Sequence, residues 1–140
     1  MRLSRHACVG AVLIATAAAH AEPETVIGRF EGTGRAFYGN LIVHAKTISW
    51  LTPFSQCKSM PYTLLGKEKQ NGQTRVTYRL TSHAESCRYA VLSLTHAGMG
   101  ENTGWEVTGY GSQQSYLADK SRGFKVETDD MMSCYLVRNQ

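Results

Sequence analysis

The sequence predicts an all-β fold, a small antiparallel meander of about eight strands closing into a β-barrel or a sandwich and braced by one disulfide. Three observations predict it. From Thr25 onward Thr, Tyr and Val recur, and Gly and Asn punctuate the chain every eight to twelve residues. Long apolar stripes of helical period are absent, which leaves no room for βαβ crossovers. Of four cysteines, Cys8 lies in the N-terminal apolar run and three, Cys57, Cys87 and Cys134, lie beyond residue 21 in a chain marked for export, where thiols are oxidised.

The export mark is the N-terminus. Arg2 and Arg5 precede an apolar run of 13 residues, Ala7 to Ala19, which ends at Ala19-His20-Ala21. A basic start, a short apolar stretch and a small-x-small cleavage site define a secretory signal peptide, so residues 1–21 are expected to be removed and residues 22–140 to form a single β domain. The run is too short to span about 30 Å of hydrocarbon, and no later stretch approaches that length, so an integral membrane protein is not expected. Cleavage removes two of 15 basic residues, leaving 13 against 11 acids, a net charge of about +2. That is no electrostatic footprint for nucleic acid. The protein is expected in the periplasm or outside the cell.

The elements follow in order. Glu22-Pro23-Glu24 reads as a lead-in and Thr25–Glu31 as the first strand, closed by Gly32-Thr33-Gly34. Arg35–Tyr38 reads as a short strand turned at Gly39-Asn40 into Leu41–Ala45, with Thr47–Leu51 next. Thr52–Ser59 contains Pro53 and is expected to be an irregular loop. Tyr62–Lys69 and Thr74–Ser82 flank Asn71-Gly72, a type I′ turn pair that makes opposed residues sum to 143. Extended to its base, that ladder sets Cys57 beside Ser86, so Cys57–Cys87 is the expected disulfide, with Pro61 interrupting the formal pairing. Closing a loop of that size stabilises a small domain by about 3–4 kcal/mol.

Arg88–His96 is the next strand, with Ala90, Leu92 and Leu94 on one face and Tyr89, Val91 and Ser93 on the other. Ala97–Gly104 is a glycine-rich loop and Trp105–Tyr110 a strand, where Gly109 and Gly111 mark a bulge or a close backbone approach. Ser115–Ser121 is the single candidate helix, and strands at Phe124–Glu127 and Met131–Arg138 finish the chain.

No catalytic, metal or cofactor pattern stands out. Gly109-Tyr110-Gly111-Ser112 lacks the spacing of a nucleophile elbow. His44, His83 and His96 have no nucleophile placed beside them by spacing, and Asp129-Asp130 suits a turn better than an ion. Glu31, Glu106 and Glu127 are acids of the kind any such domain carries, and Arg75 and Arg79 read as a solvated strand edge. Cys134, left over, is expected to be buried and inert or to link two chains covalently.

The aromatics near loops are the binding candidates: Trp50, Phe54, Trp105, Tyr110 and Tyr116. Trp50 and Trp105 equally suit the core, whereas Phe54 and Tyr116, off the strands, are the better surface candidates. The leading expectation is an exported, non-enzymatic binding protein that engages a protein or cell-envelope partner through aromatic and Gly-rich loops, in an inhibitor-like manner. The alternatives are a barrel carrying an apolar ligand inside and a small hydrolase using one histidine.

Overall fold

The computed structural model describes residues 25–34, 39–125 and 127–140. The signal peptide, the lead-in Glu22-Pro23-Glu24 and the expected strand Arg35–Tyr38 lie outside the described residues. Eight antiparallel strands pair in chain order and close on themselves: β1 (Gly28–Gly32), β2 (Asn40–Val43), β3 (Thr47–Leu51), β4 (Gln56–Gln70), β5 (Gln73–Leu80), β6 (Val91–His96), β7 (Trp105–Tyr110) and β8 (Met131–Asn139). The last strand pairs the first, Arg29 with Asn139 through Gly32 with Leu136, so the sheet has no free edge. The architecture is the barrel rather than the sandwich.

Alternation along each strand fills the interior. Phe30, Leu41, Val43, Ile48, Trp50, Val76, Tyr78, Leu92, Leu94, Trp105, Val107, Cys134 and Leu136 all point inward and are buried in one cluster. β4 departs from period two, because Cys57 and Met60 are three apart and both are buried. A register shift against β3 absorbs the extra residue, with Ser59 at φ 45 and its N–H donating to Ser49 Oγ at 2.7 Å. The Cys57–Cys87 disulfide is present.

Several boundaries differ from expectation. The irregular segment after β3 is confined to residues 52–55, and β4 runs on from Gln56 through Pro61. Pro61 sits at the last β3–β4 pair, opposite Thr47, and its carbonyl accepts from Thr81 N–H, so its missing donor interrupts nothing. The 143 register holds from Gln70–Gln73 to Gly66–Thr77, then shifts by one residue at Leu65. β6 begins at Val91, and Arg88–Ala90 belongs to the connection before it. No strand forms over the described residues of Phe124–Glu127. The helix α1 (Gln113–Ser121) starts two residues early because Ser112 caps it, accepting from Ser115 N–H at 3.1 Å.

The up-and-down path sorts the connections by length. The described residues of the connections 33–39, 52–55, 81–90 and 111–130 lie at one end, here the loop end, and the shorter turns 44–46 and 71–72 lie at the other with 97–104. The 111–130 connection does not project away. Tyr116 of α1 packs with Val91 and Tyr110 on the outer wall of the barrel, and Lys120 pairs with Glu68 on β4.

Candidate functional site

At the loop end, residues 52–55 form a turn held from several sides. Thr52 Oγ1 accepts from the N–H groups of Phe54 (3.2 Å) and Ser55 (3.0 Å), and Thr52 N–H donates to Ser55 O at 3.0 Å. Ser55 Oγ accepts from Arg88 N–H at 3.0 Å, and Gln56 N–H donates to Ser86 O at 2.7 Å. Gln56 Nε2 donates to Thr52 O. The disulfide clamps the same two segments one residue further along. Thr52 and Ser55 are buried by this arrangement, and Phe54 between them is 57% exposed. An apolar ring is thus presented on a fixed backbone.

Beside Phe54 lies a shallow cleft of about 300 Å³ lined by Arg88, Tyr89, Asp129, Asp130, Met131 and Met132. Arg88 and Asp129 are exposed, whereas the methionines are half-buried. Asp130 is fixed rather than free, since it accepts from Ser115 Oγ and Thr128 Oγ1, and those two bonds hold its carboxyl below the ordinary range. The turn role expected of Asp129-Asp130 is therefore filled by Asp130.

The five aromatic candidates separate. Phe54 alone among them offers its ring to solvent. Trp50 and Trp105 are core residues. Trp50 stacks on Tyr89 (centroids 4.9 Å apart) and Trp105 lies edge-on to Phe30 (5.0 Å). Tyr110 is buried, with its hydroxyl donating to Asp119 Oδ2 at 2.8 Å, and burial raises its pKa above the ordinary value. Tyr116, expected at the surface, is only 4% exposed. That expectation is corrected, because α1 lies against the wall and turns its Tyr inward onto Tyr110 and Val91.

Cys134 faces the barrel interior and is 3% exposed, opposite Val107. Burial pushes its thiol up to about 12. A covalent dimer through this sulfur finds no support, because the atom that would bond is inside the barrel.

Of the histidines, His96 stacks on Trp105 (4.2 Å), and its Nε2 lies 2.7 Å from Gly100 O and 3.0 Å from Thr103 O. It organises the 97–104 loop. Among the described residues no histidine hydrogen-bonds a serine, a cysteine or a carboxylate, and no three His, Cys, Asp or Glu residues gather as a metal site. No helix among them is long and apolar enough to cross a membrane.

A second concavity lies on the outer wall, where the 111–130 connection folds over β5–β8. Register places three outward rows across these strands: Arg75, Thr95, Glu106 and Tyr135; Thr77, Ser93, Thr108 and Ser133; Arg79, Val91, Tyr110 and Met131. The hydroxyl row is bonded in pairs, Thr77 to Ser93 at 3.1 Å and Thr108 to Ser133 at 2.8 Å. The third row carries α1. Phe124 closes the connection over Arg75, whose guanidinium carbon is 3.5 Å from the ring centroid. Its backbone is strained to φ 60 in doing so. Two adjoining clefts of about 300 and 330 Å³ remain beneath it. They bring Arg75, Glu106, Lys125 and Glu127 together, whereas Glu31 stays on β1 and accepts from Asn139. Sequence reasoning passed over this group as ordinary surface charge. Arg75 and Glu106 sit two strands apart, and the residues opposing them come from a connection that no periodicity ties to the wall.

No protein-family model, no curated protein and no solved structure matches this chain.

Proposed function

We propose that this chain is an exported, non-enzymatic binding protein that engages a protein or cell-envelope partner through its loop end, with Phe54 as the anchor. The observation that carries the reading is an exposed phenylalanine on a turn immobilised by hydrogen bonds and a neighbouring disulfide. Binding energy concentrates on large apolar anchors ringed by polar groups, and a turn already fixed loses little entropy on binding. Arg88 and Asp129 supply such a rim. A projecting ring of this kind suits insertion into a pocket of the partner, which is the inhibitor-like mode.

Other features support the setting. The N-terminal residues carry the pattern of a secretion signal, and a structural disulfide fits an oxidising compartment such as the periplasm or the extracellular space. The packed interior weighs against an internal carrier, since side chains from all eight strands fill the space a ligand would need. The employment of His96 in a loop weighs against a histidine-based hydrolase.

The test is site-specific photo-crosslinking. A photoreactive phenylalanine analogue at position 54 should capture one stoichiometric partner from envelope extracts. Phe54→Ser should abolish co-purification of that partner. Met99→Ser, which removes an exposed apolar side chain at the opposite end, should leave it intact. Equal capture by Phe54→Ser and the parent chain would overturn the reading.

A further inference from the structure

We propose that the cleft between the 111–130 connection and the outer wall of β5–β8 binds a small zwitterion, an amino acid or short peptide carrying a free ammonium and a free carboxylate. The first argument is polarity along the cleft. Arg75 and Lys125 line both lobes, and the carboxylate of the first lobe, Glu68, is already paired with Lys120. Glu106 and Glu127 line only the other lobe. The strand wall therefore offers Arg75 where the lobes meet and Glu106 in the second lobe alone, and the connection offers Lys125 and Glu127 in the same way, together with Asp119, whose carboxylate accepts from Tyr110.

The second argument is that these charges form no direct ion pair with one another. The ion pair recorded among the described residues is Lys120–Glu68, so neither Arg75 nor Glu106 has a salt-bridge partner there. Thr95 stands between them in the register, and their Cα atoms are about 10 Å apart at the usual spacing of neighbouring strands. Both residues are half-buried, where a charge without a counter-charge is costly. Burial, with a smaller push from Glu127, holds the Glu106 carboxyl above its ordinary range although Arg75 and the Ser133 hydroxyl pull it down, a penalty that an ammonium group would relieve.

The third argument is preorganisation. The Arg75 guanidinium carbon sits over the Phe124 ring, 3.5 Å from its centroid, so the ring holds the group in place while its N–H donors remain to meet a carboxylate. Phe124 takes up a strained backbone to do this, anchored by its N–H to Asp119 O at 2.8 Å. Thr108 and Ser133 supply hydroxyls at the acidic end. A plain anion would meet Glu106 and Glu127, and a plain cation would meet Arg75 and Lys125. A ligand bearing both charges satisfies both ends.

The experiment is an NMR titration of the 15N-labelled protein with L-alanyl-L-alanine, L-alanine, N-acetyl-L-alanyl-L-alanine and L-alanyl-L-alanine amide. Saturable shifts are expected at the amides of residues 75, 95, 106, 108 and 133 with at least one of the two uncapped ligands. Each capped form should bind about tenfold more weakly, as should Arg75→Gln and Glu106→Gln proteins with the uncapped one. If either wall variant fails to fold, Lys125→Gln on the exposed segment carries the same expectation of weaker binding. Capped and uncapped ligands binding equally, or no cleft amide moving with any zwitterion at tens of millimolar, would overturn the proposal.

Discussion

Trp50 and Tyr89 stack with ring centroids 4.9 Å apart and together occupy the space that a side chain at position 109 would need. A Cβ on Gly109 would stand 2.6 Å from Trp50 Cζ3 and 2.7 Å from Tyr89 Cδ1. Both rings are buried, so neither can move aside without disturbing the core. Gly109→Ala is expected to lower stability by about 3 kcal/mol, the upper part of the usual overpacking range. Gly66→Ala is the control, because no heavy atom outside its own neighbourhood lies within 4 Å of the added Cβ. Urea unfolding of the two variants should separate them clearly. Similar midpoints would show that the rings relax more readily than their packing implies.

The disulfide has two effects that can be measured apart. As a cross-link over a sequence separation of 30 it disfavours the unfolded chain, and the Cys57→Ala/Cys87→Ala double variant should lose about 3–4 kcal/mol. As a local clamp it holds the bonds from Gln56 N–H to Ser86 O and from Arg88 N–H to Ser55 Oγ. Hydrogen exchange at those two amides should therefore accelerate by more than the global loss of stability accounts for. If both accelerate only in step with the global loss of stability, the disulfide does not stiffen the Phe54 turn.

Cys134 yields the third prediction. Its sulfur is buried and its thiol is pushed up to about 12, first by burial and then by the nearby Glu106 carboxylate. The nucleophile in alkylation is the thiolate, so at pH 8 the folded protein should resist iodoacetamide and react only once denatured. The chain from Glu22 onward should also run as a monomer on non-reducing gels. Fast labelling of the native protein, or a dimer that reductant dissolves, would show that β8 opens.

Much of the barrel was legible because its rules are local. Asn71-Gly72 set the hairpin register as far as Gly66, and alternation in β6 sorted Leu92 and Leu94 inward from Val91 and Ser93. What the sequence hid depends on distant partners. The bulge at Leu65 has only Gly66 beside it as a local sign, and which residue drops out of pairing is set by β5. Tyr89 follows the pattern of an outward position, but residues 88–90 leave the ladder, so its ring reaches Trp50 in the core. Tyr116 looked like a loop aromatic because nothing in residues 113–121 says that the helix lies against Val91 and Tyr110. The candidate site divides in the same way. Phe54 was found from Pro53 and its place between strands, whereas the Arg75–Glu106 cleft needed four strands and a folded-back connection to exist.

The wall cleft should leave a mark on the pH dependence of stability. Glu106 has a carboxyl raised above its ordinary value of 4.5, first by burial and in addition by Glu127, while Arg75 and the Ser133 hydroxyl pull it down. Lys125, Asp119 and Tyr110 line the same cleft. A raised carboxyl holds its proton more tightly in the folded state than in the unfolded one. Its contribution to stability is therefore complete below about pH 4.5 and is lost as pH rises through the folded value. Glu106→Gln keeps the shape and cannot ionise. The variant should match the parent chain in Tm near pH 4 and exceed it at pH 8, with the gap opening across the interval above 4.5. Partial solvent access screens the effect, so added salt should narrow the part of the gap that comes from Glu127 and leave the part that comes from burial. A gap that is constant with pH would mean that the glutamine stabilises by packing, and that the carboxylate at position 106 carries no penalty for a ligand to relieve.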